Sequence, residues 1–155
     1  DAILLFSHGS VLCGAEQNLL EMAARMKAAG DAPIVEVAFL NYNAPSFSDA
    51  VARCVEQGAT RIVVAPWFLV EGKFVVDDLP AKIGEAKAAH PSLELVTAGV
   101  IGFHPALGDA LLAAAAAARE PAHWRGSIAD AARSCCENPK CPLYGDDPCR
   151  VRVDR

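Results

Sequence analysis

Four short, nearly continuous apolar runs, separated by longer segments of helical period, constrain this chain more than any other feature. They are Ala2–Ser7, residues 34–40, Arg61–Pro66 and residues 93–98. A strand that is apolar on both sides must be covered on both sides, and in a parallel sheet the crossover helices provide that cover. The intervening segments predict helices over 15–29, about 46–57, about 75–89, and from Pro105 through the alanine run to Arg119. In the first, Leu19, Leu20, Met22, Ala23 and Met26 share one side, and Gly30 is a natural stop. Ser46 is placed to cap the second helix after Pro45, and Gly58 to end it. Pro80 falls in the first turns of the third, which a helix tolerates only if it begins nearer Leu79. The expected fold class is α/β: an open parallel four-stranded sheet with helices on both faces, doubly wound through right-handed crossovers.

A chain of 155 residues, 53% hydrophobic and 21% charged, buries one ordinary core and is not disordered. Two regions are expected, an α/β domain over 1–120 and a loop-rich, cysteine-rich tail over 121–155. The tail holds Gly126, Gly145, Pro139, Pro142 and Pro148, and within it only 127–133 suggests a helix. The first region carries 14 acids against 8 bases and the tail 5 against 6, so no basic stripe exists to serve a nucleic-acid partner. The longest apolar run, 110–118, is far short of the ~20 residues a membrane helix needs, so no membrane partner is expected. Asp1 reads as a trimmed or processed start. Crowded cysteines favour a reducing compartment, and the cytoplasm is the expected location.

Ligands of open parallel sheets sit beyond the carboxyl ends of the strands, which singles out 7–10, 41–44, 67–74 and 99–104. His8 ends the first apolar run and precedes Gly9-Ser10, where backbone can approach a ligand closely. A neutral imidazole there binds a divalent metal or takes a proton, or it is merely a hydrogen-bonded strand-end residue. His104, just before Pro105, is placed either to face the site or to brace the start of a helix. His90 and His123 read as surface or structural residues, and Cys54 as a core residue. Cys13, five residues beyond His8, is within reach of the site.

The tail carries its own signal in Cys135, Cys136, Cys141 and Cys149. Thiolates bunched in a loop bind iron-sulfur clusters or zinc. Paired Cys-x-x-Cys knuckles, which zinc favours, are absent. A four-iron cluster on these four cysteines is the reading adopted, with zinc, free thiols and disulfides as alternatives.

Several segments taken in order resemble a known family. Ser7-His8-Gly9-Ser10, Phe39-Leu40-Asn41 with Ala44-Pro45-Ser46, Gly58 through Leu69, Gly72-Lys73-Phe74-Val75 with Asp78-Leu79-Pro80, and Gly102 through Leu107 follow successive motifs of the small class II tetrapyrrole chelatases, the sirohydrochlorin cobalt and iron chelatases. The resemblance covers about the first 118 residues. It implies insertion of cobalt or ferrous iron into sirohydrochlorin or a related tetrapyrrole by a homodimer. His8 would be the principal metal and proton group, and Ser10, Asn41, Lys73, Phe74 and His104 would line the substrate site. Lys73 would meet a peripheral carboxylate of the macrocycle.

Two positions depart from the family pattern. Phe74 stands where the resemblance implies a second histidine, and Asn41 where it implies a glutamate. Phenylalanine neither ligates nor carries a proton, so weakened insertion chemistry is expected. The alternative is a non-catalytic tetrapyrrole- or metal-binding protein whose tail senses redox state. A flavodoxin-like electron carrier is disfavoured, because no Ser/Thr-rich phosphate loop follows the first strand.

Overall fold

The structure, a computed structural model, describes residues 1–10 and 15–117. One compact unit comprises Asp1–Gly9 and Glu16–Gly102, and the described part of a second consists of Ser10, Ala15 and residues 103–117. The expectations for Cys13, His123, the 127–133 helix and the four tail cysteines lie outside the described residues.

In the first unit, β1 (Ala2–Ser7), β2 (Ile34–Phe39), β3 (Arg61–Pro66) and β4 (Glu94–Thr97) form a parallel sheet in the order β2-β1-β3-β4. The chain leaves β1 toward one edge and returns past it to build the other, so the strand order reverses beside β1. Right-handed crossovers then put the connecting helices on opposite faces. Helix α1 (Gln17–Ala29) packs Leu19 and Ala23 against Leu5, Val35, Val37 and Phe39. On the opposite face, α2 (Phe47–Glu56) and α3 (Leu79–Ala89) cover Leu4, Phe6, Ile62 and Val64 with Phe47, Val51, Cys54, Leu79 and Ala86. Each large apolar side chain buried there contributes about 1.5–3 kcal/mol. The expected α/β fold with helices on both faces is what the structure shows. Among the described residues no helix is long and apolar enough to cross a membrane.

Local signals account for most element ends. Gly30 closes α1 in the left-handed conformation at φ 76°. Ser46 caps α2, its hydroxyl accepting from the Asp49 amide at 3.2 Å. Cys54 is fully buried, which pushes its thiol up to about 11 and leaves it a protonated core residue, as expected.

Four elements differ from expectation in their bounds. Helix α1 begins at Gln17 rather than at residue 15, and β2 and β4 are shorter than their apolar runs. The β2 run continues only as a hydrogen bond from Leu40 N–H to the Ser7 carbonyl, while β4 pairs on one side alone. The third helix does not run unbroken from residue 75: a π-helical turn over Phe74–Asp78 precedes α3, and the Leu79 amide donates to the Phe74 carbonyl five residues back. Pro80 has no N–H to give the Val76 carbonyl and its ring crowds the preceding turn, so the chain widens there before regular winding begins.

The described part of the second unit contains helix α4 (Pro105–Ala116). His104 is its N-cap, with Nδ1 accepting from the Ala106 amide at 3.2 Å.

Candidate metal and tetrapyrrole site

The strand order reverses beside β1, and doubly wound sheets hold their ligands at such a reversal, beyond the carboxyl ends of the strands, here β1 and β3. The chain continues from β1 into His8 and Gly9, from β2 into Asn41, and from β3 into the Trp67–Phe68 segment and the π-helical turn. Backbone bonds carry the sheet past its formal end: Asn41 N–H donates to the His8 carbonyl at 2.9 Å and Trp67 N–H to the Phe6 carbonyl at 2.7 Å.

Gly9 makes this close approach feasible. Its φ is +83°, and a Cβ there would collide with the Asn41 carbonyl oxygen and lie 2.9 Å from Asn43 Oδ1. Gly9→Ala is therefore expected to cost about 1–2 kcal/mol from the left-handed backbone alone, and more through the collision. Urea unfolding measures it, and an unchanged midpoint would contradict the tight packing of these two strand ends.

The segment after β2 is itself strained. Asn43 N–H donates to the Asn41 carbonyl at 2.8 Å across Tyr42, whose φ is 65°. This is a γ-turn of the strained hand, held from outside by the Asn43 amide donating to the Glu16 carboxylate at 3.0 Å. The turn sets the Tyr42 ring edge-on to His8, with centroids 5.7 Å apart.

His8 is half-buried and held by several neighbours. Its Nδ1 lies 3.0 Å from the Gly9 carbonyl oxygen and its Nε2 lies 3.3 Å from Asn41 Nδ2. Phe74 stacks on the imidazole with centroids 4.2 Å apart and planes tilted by 38°. Behind it the rings continue through Phe68, 6.2 Å from Phe74, to Phe6 in the core, 6.0 Å further on. This column of rings ties the plane of the imidazole to the packed interior.

Lys73 begins the π-helical turn with its ammonium 3.0 Å from Asp78 Oδ1 and 3.9 Å from Asp77 Oδ2. The hydrogen bond to Asp78, helped by the charges of both carboxylates, holds the lysine above its ordinary range. Any anion it meets must compete with Asp78. Along the chain on either side of it, Trp67, Leu69, Val70 and Val76 expose large apolar side chains.

Of the residues singled out in the sequence, the structure brings Asn41 and Phe74 each into contact with His8 and sets Lys73 next to Phe74 along the chain. Ser10 follows Gly9 and is half-buried, and like His104 it belongs to the second unit. His104 has the bracing role at the start of α4. Tyr42 and Phe68 fall within the loop segments the sequence singles out, and Asp78 within a motif, but the sequence assigns none of the three a role of its own. The Asn-Tyr-Asn triplet between a strand and a proline is a turn signal that points to Tyr42; nothing local marks Phe68. Among the described residues no cluster of three or more His, Cys, Asp or Glu side chains is arranged to hold a metal ion.

The chain is 34% identical over 90 residues to a sirohydrochlorin cobaltochelatase of Methanocaldococcus jannaschii, covering 58% of this chain and 63% of that protein. It is 31% identical over 144 residues to the chloroplastic sirohydrochlorin ferrochelatase of Arabidopsis thaliana, covering 93% of this chain and again 63% of the relative. The chain thus spans a little under two thirds of the length of these curated relatives. The solved structure of the sirohydrochlorin chelatase SirB from Bacillus subtilis subspecies spizizenii, in complex with cobalt, superposes with a TM-score of 0.69 at 28% identity, over 83% of this chain and 60% of that one. The CbiX family matches residues 2–118, from the first residue of β1 to just past the end of α4, and the chain belongs to that family.

Proposed function

We propose that the protein inserts a divalent metal, cobalt or ferrous iron, into sirohydrochlorin or a closely related tetrapyrrole, with His8 as the group that receives the metal and then a proton. The observation that carries this reading is the placement of His8: an imidazole at the open end of β1, held between aromatic rings. Similar proteins that act on sirohydrochlorin with cobalt or with iron support the substrate class.

Insertion exchanges one divalent cation for the two N–H protons of the macrocycle. A neutral imidazole takes the cation from water through one ring nitrogen. As the metal passes to the pyrrole nitrogens, that nitrogen is freed and accepts one proton. Water at the exposed Asn41 side takes the second. The apolar surface of Trp67, Leu69, Val70 and Val76 suits the face of a flat macrocycle, and Lys73 suits a peripheral carboxylate in exchange with Asp78. A second copy of the chain is the proposed partner and the cytoplasm the proposed location.

One observation favours a second reading, in which the protein binds the macrocycle without metallating it: the residue stacked on His8 is a phenylalanine. Metal-free sirohydrochlorin mixed anaerobically with the protein, followed by cobalt, separates the two. The first reading expects an absorbance change on mixing and a second, protein-accelerated change on adding cobalt. A first change with no acceleration of the second would leave the binding reading.

For the tail, we propose that Cys135, Cys136, Cys141 and Cys149 hold a four-iron cluster. Four thiolates match its donor count, and the cluster when bound supplies one-electron redox chemistry. Anaerobically purified protein is expected to be brown and to contain iron and acid-labile sulfide. Colourless protein with one equivalent of zinc and no sulfide would overturn this.

A further inference from the structure

We infer that the Gly9 carbonyl sets the tautomer of His8 and that Asn41 fits it: the ring proton stays on Nδ1, and the bare Nε2, capped by the Asn41 side-chain amide, is the atom that receives the cation. The tautomer stands on geometry alone, and only the use of Nε2 rests on the function proposed above.

A carbonyl oxygen only accepts, so the 3.0 Å contact between Nδ1 and the Gly9 oxygen requires a proton on Nδ1. In a neutral ring Nε2 then carries a lone pair. The atom facing it at 3.3 Å is Asn41 Nδ2, which only donates, so the two contacts agree on one tautomer. The opposite tautomer would set the Nδ1 lone pair against the Gly9 oxygen. Turning the Asn41 amide over would satisfy an Nε2 proton but leave that repulsion in place. Gly9 therefore chooses the tautomer and Asn41 fits it.

Asn41 is well anchored for this task, because its own backbone N–H is bonded to the His8 carbonyl at 2.9 Å. Histidines that ligate metals commonly donate their second ring N–H to a carbonyl, which fixes the ring and leaves the other nitrogen free to bind. Here the free nitrogen is covered by a neutral, easily displaced donor. An arriving cation has only to displace one Asn41 N–H bond, with no change of tautomer and no deprotonation. Asn41 is in this sense a positioning residue acting through His8.

The isosteric change Asn41→Asp separates this role from simple packing. Aspartate fills the same space, but its carboxylate cannot donate to a bare Nε2 and instead favours a proton there. The measurement is the two-bond proton–nitrogen correlation spectrum of the imidazoles in nitrogen-15-labelled protein at mildly alkaline pH. The His8 signals are assigned by their loss in His8→Gln. The native protein is expected to show a protonated Nδ1 and a bare Nε2, and zinc, used as a diamagnetic probe, is expected to shift Nε2 while Nδ1 keeps its proton. In Asn41→Asp the Nε2 resonance is expected to move to the protonated position. A native ring protonated on Nε2, or zinc acting on Nδ1, would overturn the inference. The native spectrum with and without zinc decides the tautomer even if the variant does not fold. The expected spectra in a protein that fails to metallate sirohydrochlorin would uphold the tautomer and sink only the proposed activity.

Discussion

His8→Ala is expected to lower cobalt insertion by about 10²–10⁴-fold, the usual worth of one positioned acid–base group, and to bring it to the rate of the free reaction. In the proposed mechanism the substitution removes both the nitrogen that strips the cation of water and the acceptor of the departing proton. Folding should survive, because His8 is half-buried and its bonds run to the neighbouring Gly9 carbonyl and to an exposed Asn41 side chain. Losing them costs about 1 kcal/mol. Insertion followed by absorbance under anaerobic conditions, with circular dichroism as the control for folding, checks this. Unchanged rate and metal affinity in the variant would remove His8 from the mechanism.

The second large effect runs the other way. Phe74→His is expected to raise the insertion rate, by up to about 10²–10⁴-fold if the missing acid–base group is what limits the native protein. The geometry is favourable: the ring at position 74 sits 4.2 Å, centroid to centroid, from the His8 imidazole. Two imidazole nitrogens on one cation, each at about 2.0–2.1 Å, lie roughly 3 Å apart or slightly more, a separation that two rings so placed reach by small rotations. The change also removes a ring from the column joining His8 to Phe68 and Phe6, which weakens the hold on the imidazole and offsets part of the gain. The readout is the initial rate of cobalt insertion for both proteins. A native protein that is already fast, with the variant no faster, would show that one histidine suffices.

Much of this arrangement was legible in the sequence because strong local signals agreed. The runs that became β1 to β4 are apolar on both sides, and each ends at a loop of the same edge, so His8, Asn41 and the 67–74 segment follow from chain order to one end of the sheet. Ser46, Gly30 and Gly58 mark helix ends by chemistry that needs no tertiary context. What was not legible depends on register. Asn41 meets His8 because Ser7 pairs with Phe39, across 32 residues of sequence, and because Gly9 lets the two chains approach. The π-helical turn arises from competition between a helical period and Pro80, which the sequence poses but packing resolves. His104 admitted two readings, and its contact with the Ala106 amide puts it at the start of α4 as a cap.

The central claim is that the open end of β1 metallates a tetrapyrrole through one histidine. It is tested most directly by the initial rate of cobalt insertion into metal-free sirohydrochlorin, measured anaerobically against the concentration of the unmodified protein. A rate rising in proportion to protein, above the protein-free background, is the predicted result. A flat line at that background, with correctly folded protein that still binds the macrocycle, would contradict it.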